Sequence, residues 1–170
     1  ILNWKRFNQQ TLINMSFGMN NYSKTLQEAV DDAEDAGILV VAAAGNTGGD
    51  VEYPAAYSNV LSVGSVDCNA ELVETSARGS KVDIVAPGEV VCTTGELGDV
   101  LISSGTSLAA PQVAAVASLI WQENPEATSD LIKTTLLESS NRKTNKAYGI
   151  LDGKYALESY KYISKHHKDN

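Results

Sequence analysis

One short segment combines a glycine, two hydroxyl residues and a proline, and it is the first candidate for chemistry in this sequence. It runs Gly105-Thr106-Ser107-Leu108-Ala109-Ala110-Pro111 and leads into an apolar helical pattern that continues to about Gln122. A glycine turn that delivers Ser107 onto a helix N-terminus places its hydroxyl beside free backbone N–H groups, which stabilise a developing oxyanion. Serine is also a common N-cap residue. Ser107 is therefore either a nucleophile or a helix cap, and its own segment does not decide between them.

A second segment ends in a side chain that suits the same chemistry. Asn46 follows Gly45 directly after the apolar run Ile38–Ala44. A run that is apolar throughout is typical of a parallel strand covered on both faces, and ligands bind beyond the carboxyl ends of such strands. A carboxamide there can donate to an oxyanion without bringing a charge, although Gly-Asn is also frequent in turns. Together, Ser107 and Asn46 favour a nucleophile served by an oxyanion hole.

The remaining patterns supply the elements that must position these two residues. Strands are predicted at Leu12–Ser16, Ile38–Ala44, Val60–Val66 and Val82–Ala86, with a hairpin at Glu89–Ser104. Helices are predicted after a cap at Ser23 or Thr25 and over Ser107–Gln122, Ser129–Ser139 and Tyr155–Ser164. Pro111 is placed in the first turn of the buried helix, where its missing N–H costs least. The alternation of strand and helix predicts an α/β fold with a mostly parallel sheet.

Composition excludes several classes of function. The chain has 170 residues, 13 basic against 21 acidic, and a net charge of −8, which is the wrong sign for binding a phosphate backbone. No apolar run reaches the roughly 18 residues that a membrane-spanning helix needs. Cys68 and Cys92 are expected to be free thiols, because their number and spacing match neither a disulfide scaffold nor a zinc motif. We therefore expect neither a nucleic-acid nor a membrane partner.

Five sequence blocks resemble the subtilisin-like serine proteases, the subtilases. The blocks are Ile13–Gly18, Val40–Asn46, Tyr53–Ala55, Val82–Gly88 and Gly105–Pro111. The similarity extends from about Ile1 to Leu157, and it departs from the family pattern at Leu108 and Gln112, where methionine and histidine are usual. The resemblance implies a three-layer subtilisin-like fold whose central buried helix starts at the nucleophile. It also implies that residues 1–164 are the C-terminal part of a catalytic domain and that residues 165–170 are a frayed tail.

The same resemblance assigns roles to individual residues. Ser107 corresponds to the nucleophile, and Asn46 to the side-chain half of the oxyanion hole that the Ser107 backbone N–H completes. An extended edge would pair with the substrate backbone, and a facing wall would line the pocket for the side chain before the scissile bond. The edge residues are Ser16, Phe17 and Gly18, and the wall residues are Ala43, Ala44 and Gly45.

Two further assignments concern charge. Glu52 corresponds to a position at the bottom of that pocket, where a carboxylate favours Lys or Arg in the substrate. The resemblance implies no organic cofactor, but it implies a weak structural site for calcium or sodium, built only from oxygen ligands. Its ligands would be the backbone carbonyls of Ala55, Tyr57 and Val60 and the carboxylate of Asp83.

A serine nucleophile needs a general base and an orienting carboxylate, and in subtilases both precede the asparagine motif. The sequence starts without methionine at Ile1–Phe7, which has a helix-like pattern, so we expect a longer polypeptide whose N-terminal portion carries this Asp and His. His166 and His167 lie outside the matching blocks and do not correspond to the catalytic histidine. The intact protein is expected to be an exported serine endopeptidase that acts on peptides or proteins, with this chain alone inactive.

Two alternatives remain at this stage. The first is a pseudoprotease, a binding domain that keeps the fold while its upstream catalytic partners are degenerate. The second is an α/β-hydrolase esterase, since the motif around Ser107 approaches G-x-S-x-G and the order Ser107, Asp152, His166 is that of the esterase triad. Against the esterase, Ala109 replaces the last glycine of the motif, and Asn46 is left without a role.

Overall fold

This computed structural model describes residues 10–140, 144 and 148–166, and it describes side chains as far as residue 160. The described part of the chain contains six strands and four helices. The strands are β1 (Leu12–Met15), β2 (Leu39–Ala43), β3 (Leu61–Val66), β4 (Ile84–Pro87), β5 (Val91–Thr94) and β6 (Val100–Ser103). The helices are α1 (Lys24–Asp35), α2 (Thr106–Glu123), α3 (Ser129–Ser139) and α4 (Gly153–His166). The strands and helices predicted between residues 12 and 164 are therefore present, with small shifts at the ends, whereas the helix-like pattern at Ile1–Phe7 lies outside the described residues.

The main sheet has the strand order β1-β2-β3-β4, and all its neighbouring pairs are parallel. All residues of β2 and β3 are buried, because helices cover both faces of the sheet. Alternate residues of β2 show the two faces: Val41 belongs to a core cluster with α2, α3 and α4, whereas Val40 belongs to a cluster with α1. This is the expected three-layer α/β arrangement. The predicted hairpin is present as the antiparallel pair β5–β6.

Helix α2 lies in the middle of this arrangement and contacts all four strands of the main sheet. It begins after Gly105, whose φ of 141° is open to glycine and strained for other residues. Small side chains on its buried face, among them Ala109, Ala110 and Ala117, allow the sheet backbone to approach closely. The placement of Pro111 in the first turn is wrong, because the helix begins at Thr106 and Pro111 is its sixth residue, in the second turn.

Local caps explain where the other helices start. Ser23, rather than Thr25, caps α1, and its Oγ accepts a hydrogen bond from the Leu26 N–H at 3.3 Å. Helix α4 begins two residues earlier than predicted, after Asp152, whose Oδ1 accepts the Tyr155 N–H at 2.9 Å. Because α4 continues to His166, the first two residues of the predicted tail are helical, whereas 167–170 lie outside the described residues.

Two expectations from composition also have structural counterparts. Cys68 and Cys92 are both free and exposed, as predicted. Within residues 10–140, 144 and 148–166, none of the helices combines the length and apolar character needed to cross a membrane.

Candidate active site

The Ser107 hydroxyl lies where the carboxyl end of β1 meets the start of α2. Ser107 is the second residue of α2, and Gly105 occupies the N-cap position, so the interpretation of Ser107 as the helix cap is wrong. Its Oγ donates to the backbone carbonyl of Ser16 at 3.2 Å. In return, the Oγ of Ser16 donates to the backbone carbonyl of Ser107 at 2.9 Å and accepts a hydrogen bond from Asn14 Nδ2 at 2.9 Å. Asn14 in β1 thus holds Ser16, and Ser16 holds the half-buried Ser107 through two hydrogen bonds.

Pro111 explains why the Ser107 carbonyl is available for this contact. In an uninterrupted α-helix, this carbonyl would accept the N–H of the residue four positions later. That residue is Pro111, which has no N–H to donate. The hydroxyl of Ser16 supplies the missing donor, so the Ser107 carbonyl is not left without a hydrogen bond. The second-turn position of Pro111 thus lets Ser16 bind the backbone of Ser107.

Asn46 lies beside the same helix start, because it follows the end of β2 by three residues. Its Oδ1 accepts hydrogen bonds from the backbone N–H of Thr106 at 2.8 Å and from the Thr106 Oγ1 at 3.0 Å. Its Nδ2 makes no hydrogen bond to the described residues, and the residue is exposed. A Cβ added to Gly105 would come within 3.3 Å of both Asn46 Nδ2 and Oδ1, so the carboxamide lies directly over Gly105. Asn46 therefore caps α2 with its oxygen and keeps its amide donor free.

Thr106 is a site residue that the sequence analysis missed. It is fully buried, and its Oγ1 accepts the Gly45 N–H at 3.2 Å while donating to Asn46 Oδ1. Thr106 thereby fixes the end of β2 and the asparagine side chain to the first residue of α2. The only sequence signal was a second hydroxyl residue directly before Ser107.

Gly18 of the predicted edge and Gly45 of the predicted wall both lie next to the side chain of Glu52. The Glu52 N–H donates to the Ala44 carbonyl at 2.9 Å, which ties the loop to the end of β2. A Cβ on Gly45 would lie 2.8 Å from Glu52 Cδ, and one on Gly18 would collide with Oε2. The carboxylate therefore occupies the space between Gly18 and Gly45.

The predicted wall is buried, and the predicted edge is partly exposed. Ala43 and Ala44 are buried at the end of β2, whereas Phe17 is 50% exposed and lies outside any strand. Backbone hydrogen bonds of 2.8 and 2.9 Å between Met19 and Tyr53 anchor the far end of the edge segment. Phe17 and Gly18 are exposed, whereas Ser16 is half-buried and its carbonyl accepts the hydrogen bond from Ser107 Oγ.

The four residues of the candidate cation site lie around one cavity of about 460 Å³ on a different part of the chain surface. These residues are Ala55, Tyr57, Val60 and Asp83. Asp83 Oδ2 accepts the Ser62 N–H at 2.8 Å, while burial raises the pKa of this carboxyl above its usual value. The described residues contain no group of three or more His, Cys, Asp or Glu side chains that could hold a metal ion.

Of the residues in the esterase hypothesis, the structure describes the side chains of Ser107 and Asp152. The carboxylate of Asp152 caps α4 through the Tyr155 N–H. The side chain of His166 and the whole of His167 lie outside the described residues.

Gln112, one of the two departures from the family pattern, donates from Nε2 to the Pro87 carbonyl at 2.6 Å and so connects α2 to the end of β4.

Comparison with known proteins identifies the family of the chain. Residues 3–156 match the subtilase family. The chain is 41% identical to the thermostable alkaline protease of Halalkalibacterium halodurans over 140 residues, which cover 82% of this chain and 39% of that protein. It is 40% identical to subtilisin Savinase of Lederbergia lenta over 136 residues, 79% of this chain and 51% of that one.

A solved structure of a protease from Pseudoalteromonas arctica superposes with a TM-score of 0.82 at 33% identity, covering 88% of this chain and 51% of that chain. The chain spans about half, or less, of the length of the curated relatives that it matches. The fold comparison therefore applies to most of this chain and to only part of those proteins.

Proposed function

Because this chain belongs to the subtilase family, we propose that it is part of a serine endopeptidase that cleaves peptide bonds through an acyl-enzyme on Ser107. One observation carries the proposal: the Ser107 hydroxyl lies at the start of α2, beside an asparagine whose amide donor is free. The likeness to the thermostable alkaline protease and to subtilisin Savinase supports the same chemistry. The intact protein is further proposed to be exported and to act on peptides or proteins, which rests on the family resemblance.

The proposed reaction begins when Ser107 Oγ attacks the carbonyl carbon of the scissile peptide bond. Its proton passes to a histidine base on the N-terminal portion of the protein, which an aspartate orients. The negative charge on the former carbonyl oxygen is stabilised by Asn46 Nδ2 and by the Ser107 N–H, one of the first-turn N–H groups that lack an intrahelical acceptor. Collapse breaks the C–N bond, the leaving amine takes the proton from the base, and water then hydrolyses the acyl-enzyme.

The contact between Ser107 Oγ and the Ser16 carbonyl belongs to the resting state in this mechanism. While Ser107 donates there, its proton is not available to a base, so the hydroxyl must rotate before it attacks. The reciprocal bond from Ser16 to the Ser107 carbonyl does not involve the reacting atoms and can persist through that rotation. Ser16 is thus proposed as a positioning residue for Ser107.

Chemical labelling of the intact protein tests the proposed nucleophile. A fluorophosphonate reacts covalently with an activated serine, and intact mass detects the adduct. We expect labelling of the polypeptide that includes the N-terminal portion, none in its Ser107→Ala variant, and full labelling when His166 and His167 are removed. A folded intact protein that is not labelled would instead support the pseudoprotease. Labelling that requires the tail histidines would overturn the assignment of the base to the N-terminal portion.

We also propose that Glu52 directs cleavage after Lys or Arg. Its carboxylate lies between Gly18 and Gly45, where the side chain before the scissile bond would enter. A hydrogen bond to a charged group contributes about 1.5–3 kcal/mol, which corresponds to roughly 10–100-fold in rate. Glu52→Gln should therefore lower kcat/KM by that factor for substrates with Lys or Arg at this position and leave those with Leu nearly unchanged. An equal loss on both substrate types would show that Glu52 acts on folding and not on specificity.

A further inference from the structure

Lys81, an exposed residue, is one of those that line the cavity of the candidate cation site. Lys81 Nζ donates to the backbone carbonyl of Ala56 at 3.0 Å and lies 5.9 Å from the centroid of the Tyr53 ring. Lys81 and Asp83 both line this cavity of about 460 Å³. The Lys81 side chain thus joins the loop around Ala56 to the segment that leads into β4.

The oxygen atoms around this cavity do not fit calcium. Calcium takes about 6–8 oxygen ligands, usually with several carboxylates among them. Of the residues that line the cavity, Asp83 alone carries a carboxylate, and its Oδ2 already accepts the Ser62 N–H at 2.8 Å. The Tyr57 carbonyl accepts the Val60 N–H at 3.3 Å. A divalent ion would also share the cavity with the positive charge of Lys81, which opposes its binding.

The same surroundings suit an ammonium group. A carbonyl oxygen accepts one of its three protons, and an aromatic face attracts its charge. The Tyr53 ring is itself fixed by two neighbours, Tyr22 at 5.8 Å and Tyr57 at 4.7 Å between ring centroids. A preformed aromatic wall of this kind holds a cation without the ordering cost of a flexible loop.

We propose that the ammonium group of Lys81 replaces the structural cation at this site, so that the loop around Ala56 is fastened to the β4 segment without a metal ion. The fastening joins residues 25 positions apart in the sequence. The proposal concerns stability and does not depend on the proposed protease function. It predicts that calcium has no effect on the stability that this cavity contributes.

Thermal unfolding with and without calcium tests the proposal. The protein used is the intact polypeptide carrying Ser107→Ala, which prevents self-digestion. Lys81→Gln removes the charge and should lower Tm by roughly 2–4 °C, which is the shift for a loss of about 1 kcal/mol in a chain of this size. The decrease should be the same in chelator and in millimolar calcium. Lys81→Glu adds a second carboxylate, so its Tm should fall in chelator and recover in calcium. The exposed Lys154→Glu gives the same change of net charge away from the cavity and should show neither effect.

Calcium sites elsewhere in the intact polypeptide affect the Tm of parent and variants alike. The quantity compared is therefore the rise in Tm on adding calcium to each variant, minus the same rise in the parent. The proposal is overturned if Lys81→Gln leaves Tm unchanged, or if the parent gains as much from calcium as Lys81→Glu does.

Terbium luminescence gives a second readout that does not depend on Tm. Terbium binds at calcium sites and is excited by nearby tyrosine rings, here Tyr53 and Tyr57. We expect Lys81→Glu to gain luminescence over the parent and to lose that gain when Asp83→Asn is added. If Lys81→Glu does not fold, Lys81→Gln still decides the matter through Tm. A parent signal that Asp83→Asn removes would mean that the native cavity binds metal, against the proposal.

Discussion

Ser107 and Ser16 each donate a side-chain hydrogen bond to the backbone carbonyl of the other, at 3.2 Å from Ser107 Oγ and 2.9 Å from Ser16 Oγ. The pair joins two segments that are 91 residues apart in the sequence. One segment is the proposed substrate edge and the other carries the proposed nucleophile. Their relative position is therefore fixed by direct bonds before any substrate arrives, which is the kind of preorganisation that serine catalysis requires.

Ser16→Ala removes the donor to the Ser107 carbonyl and should lower kcat/KM by about 3–10-fold, because one net hydrogen bond contributes about 0.5–1.5 kcal/mol. The loss should appear mainly in kcat, since the backbone of the substrate edge is unchanged. Steady-state kinetics of the intact protein measures it. Ser58→Ala, on an exposed serine that donates only to its neighbour Asn59, is the matched control. Equal activity of the two variants would argue against a positioning role for Ser16.

Two substitutions of Asn46 should separate its structural and catalytic roles. Asn46→Asp keeps the oxygen that accepts the Thr106 N–H but removes the amide donor, so we expect normal Tm and a fall in kcat of about 100–1000-fold. That range is general for the loss of one oxyanion-hole donor, and a subtilisin asparagine is its standard example. Asn46→Ala should lose activity to a similar extent and also about 1 kcal/mol of stability, because the cap is lost. Near-normal kcat in Asn46→Asp would contradict an oxyanion role.

Gly45→Ala should destabilise the protein by about 1–3 kcal/mol through backbone strain, and by more through a clash. Gly45 has a φ of 116°, and a Cβ there would lie 2.8 Å from Glu52 Cδ. Gly79 is a matched control, because its φ is 107° but a Cβ would meet nothing within 4 Å. Chemical denaturation of both variants should show the larger loss for Gly45→Ala, and adding Glu52→Ala should remove the difference. Equal losses from the start would mean that the Glu52 side chain moves aside without a measurable cost in stability.

The turn after β3 should make stability depend on pH through Asp67. The Glu71 N–H, at 2.8 Å from Asp67 Oδ1, is the main cause that lowers the pKa of this carboxyl below 3.8, and the Asn69 N–H adds to it. The stabilisation is therefore present above pH 3.8 and is lost as the pH falls through the lower pKa of the folded state. Tm measured against pH should show a parent advantage over Asp67→Asn that disappears in acid. A difference independent of pH would contradict this assignment.

Much of the fold could be predicted because its signals are local. The apolar run Ile38–Ala44 predicts a covered parallel strand, and the predicted bounds of Ser129–Ser139 match α3, whose cap at Thr128 satisfies the Leu131 N–H. The start of α4 was missed by two residues, because the capping role of Asp152 depends on a single side-chain contact.

The site was predicted less completely, because its contacts join distant segments. The motif identified Ser107 and Asn46, but periodicity carries no information on the bonds from Thr106 to Asn46 or from Ser16 to Ser107, which span 60 and 91 residues. The placement of Pro111 failed for a related reason. A proline in the second turn of a helix is unfavourable by local rules. It is accommodated here because the hydroxyl of Ser16, directly after β1, takes the place of the missing N–H of Pro111.

Helix α2 also gives the protein an internal optical reporter. Its 18 residues extend about 27 Å at roughly 1.5 Å per residue, from the site at one end to Trp121 near the other. The Trp121 indole is 4% exposed and donates from Nε1 to the Ala127 carbonyl at 2.9 Å. The only other tryptophan in this sequence is Trp4, outside the described residues, so Trp4→Phe would leave Trp121 as the single tryptophan of this chain. Its fluorescence would follow the packing of α2 far from Ser107 and thus distinguish a variant that has lost its chemistry from one that has lost its fold.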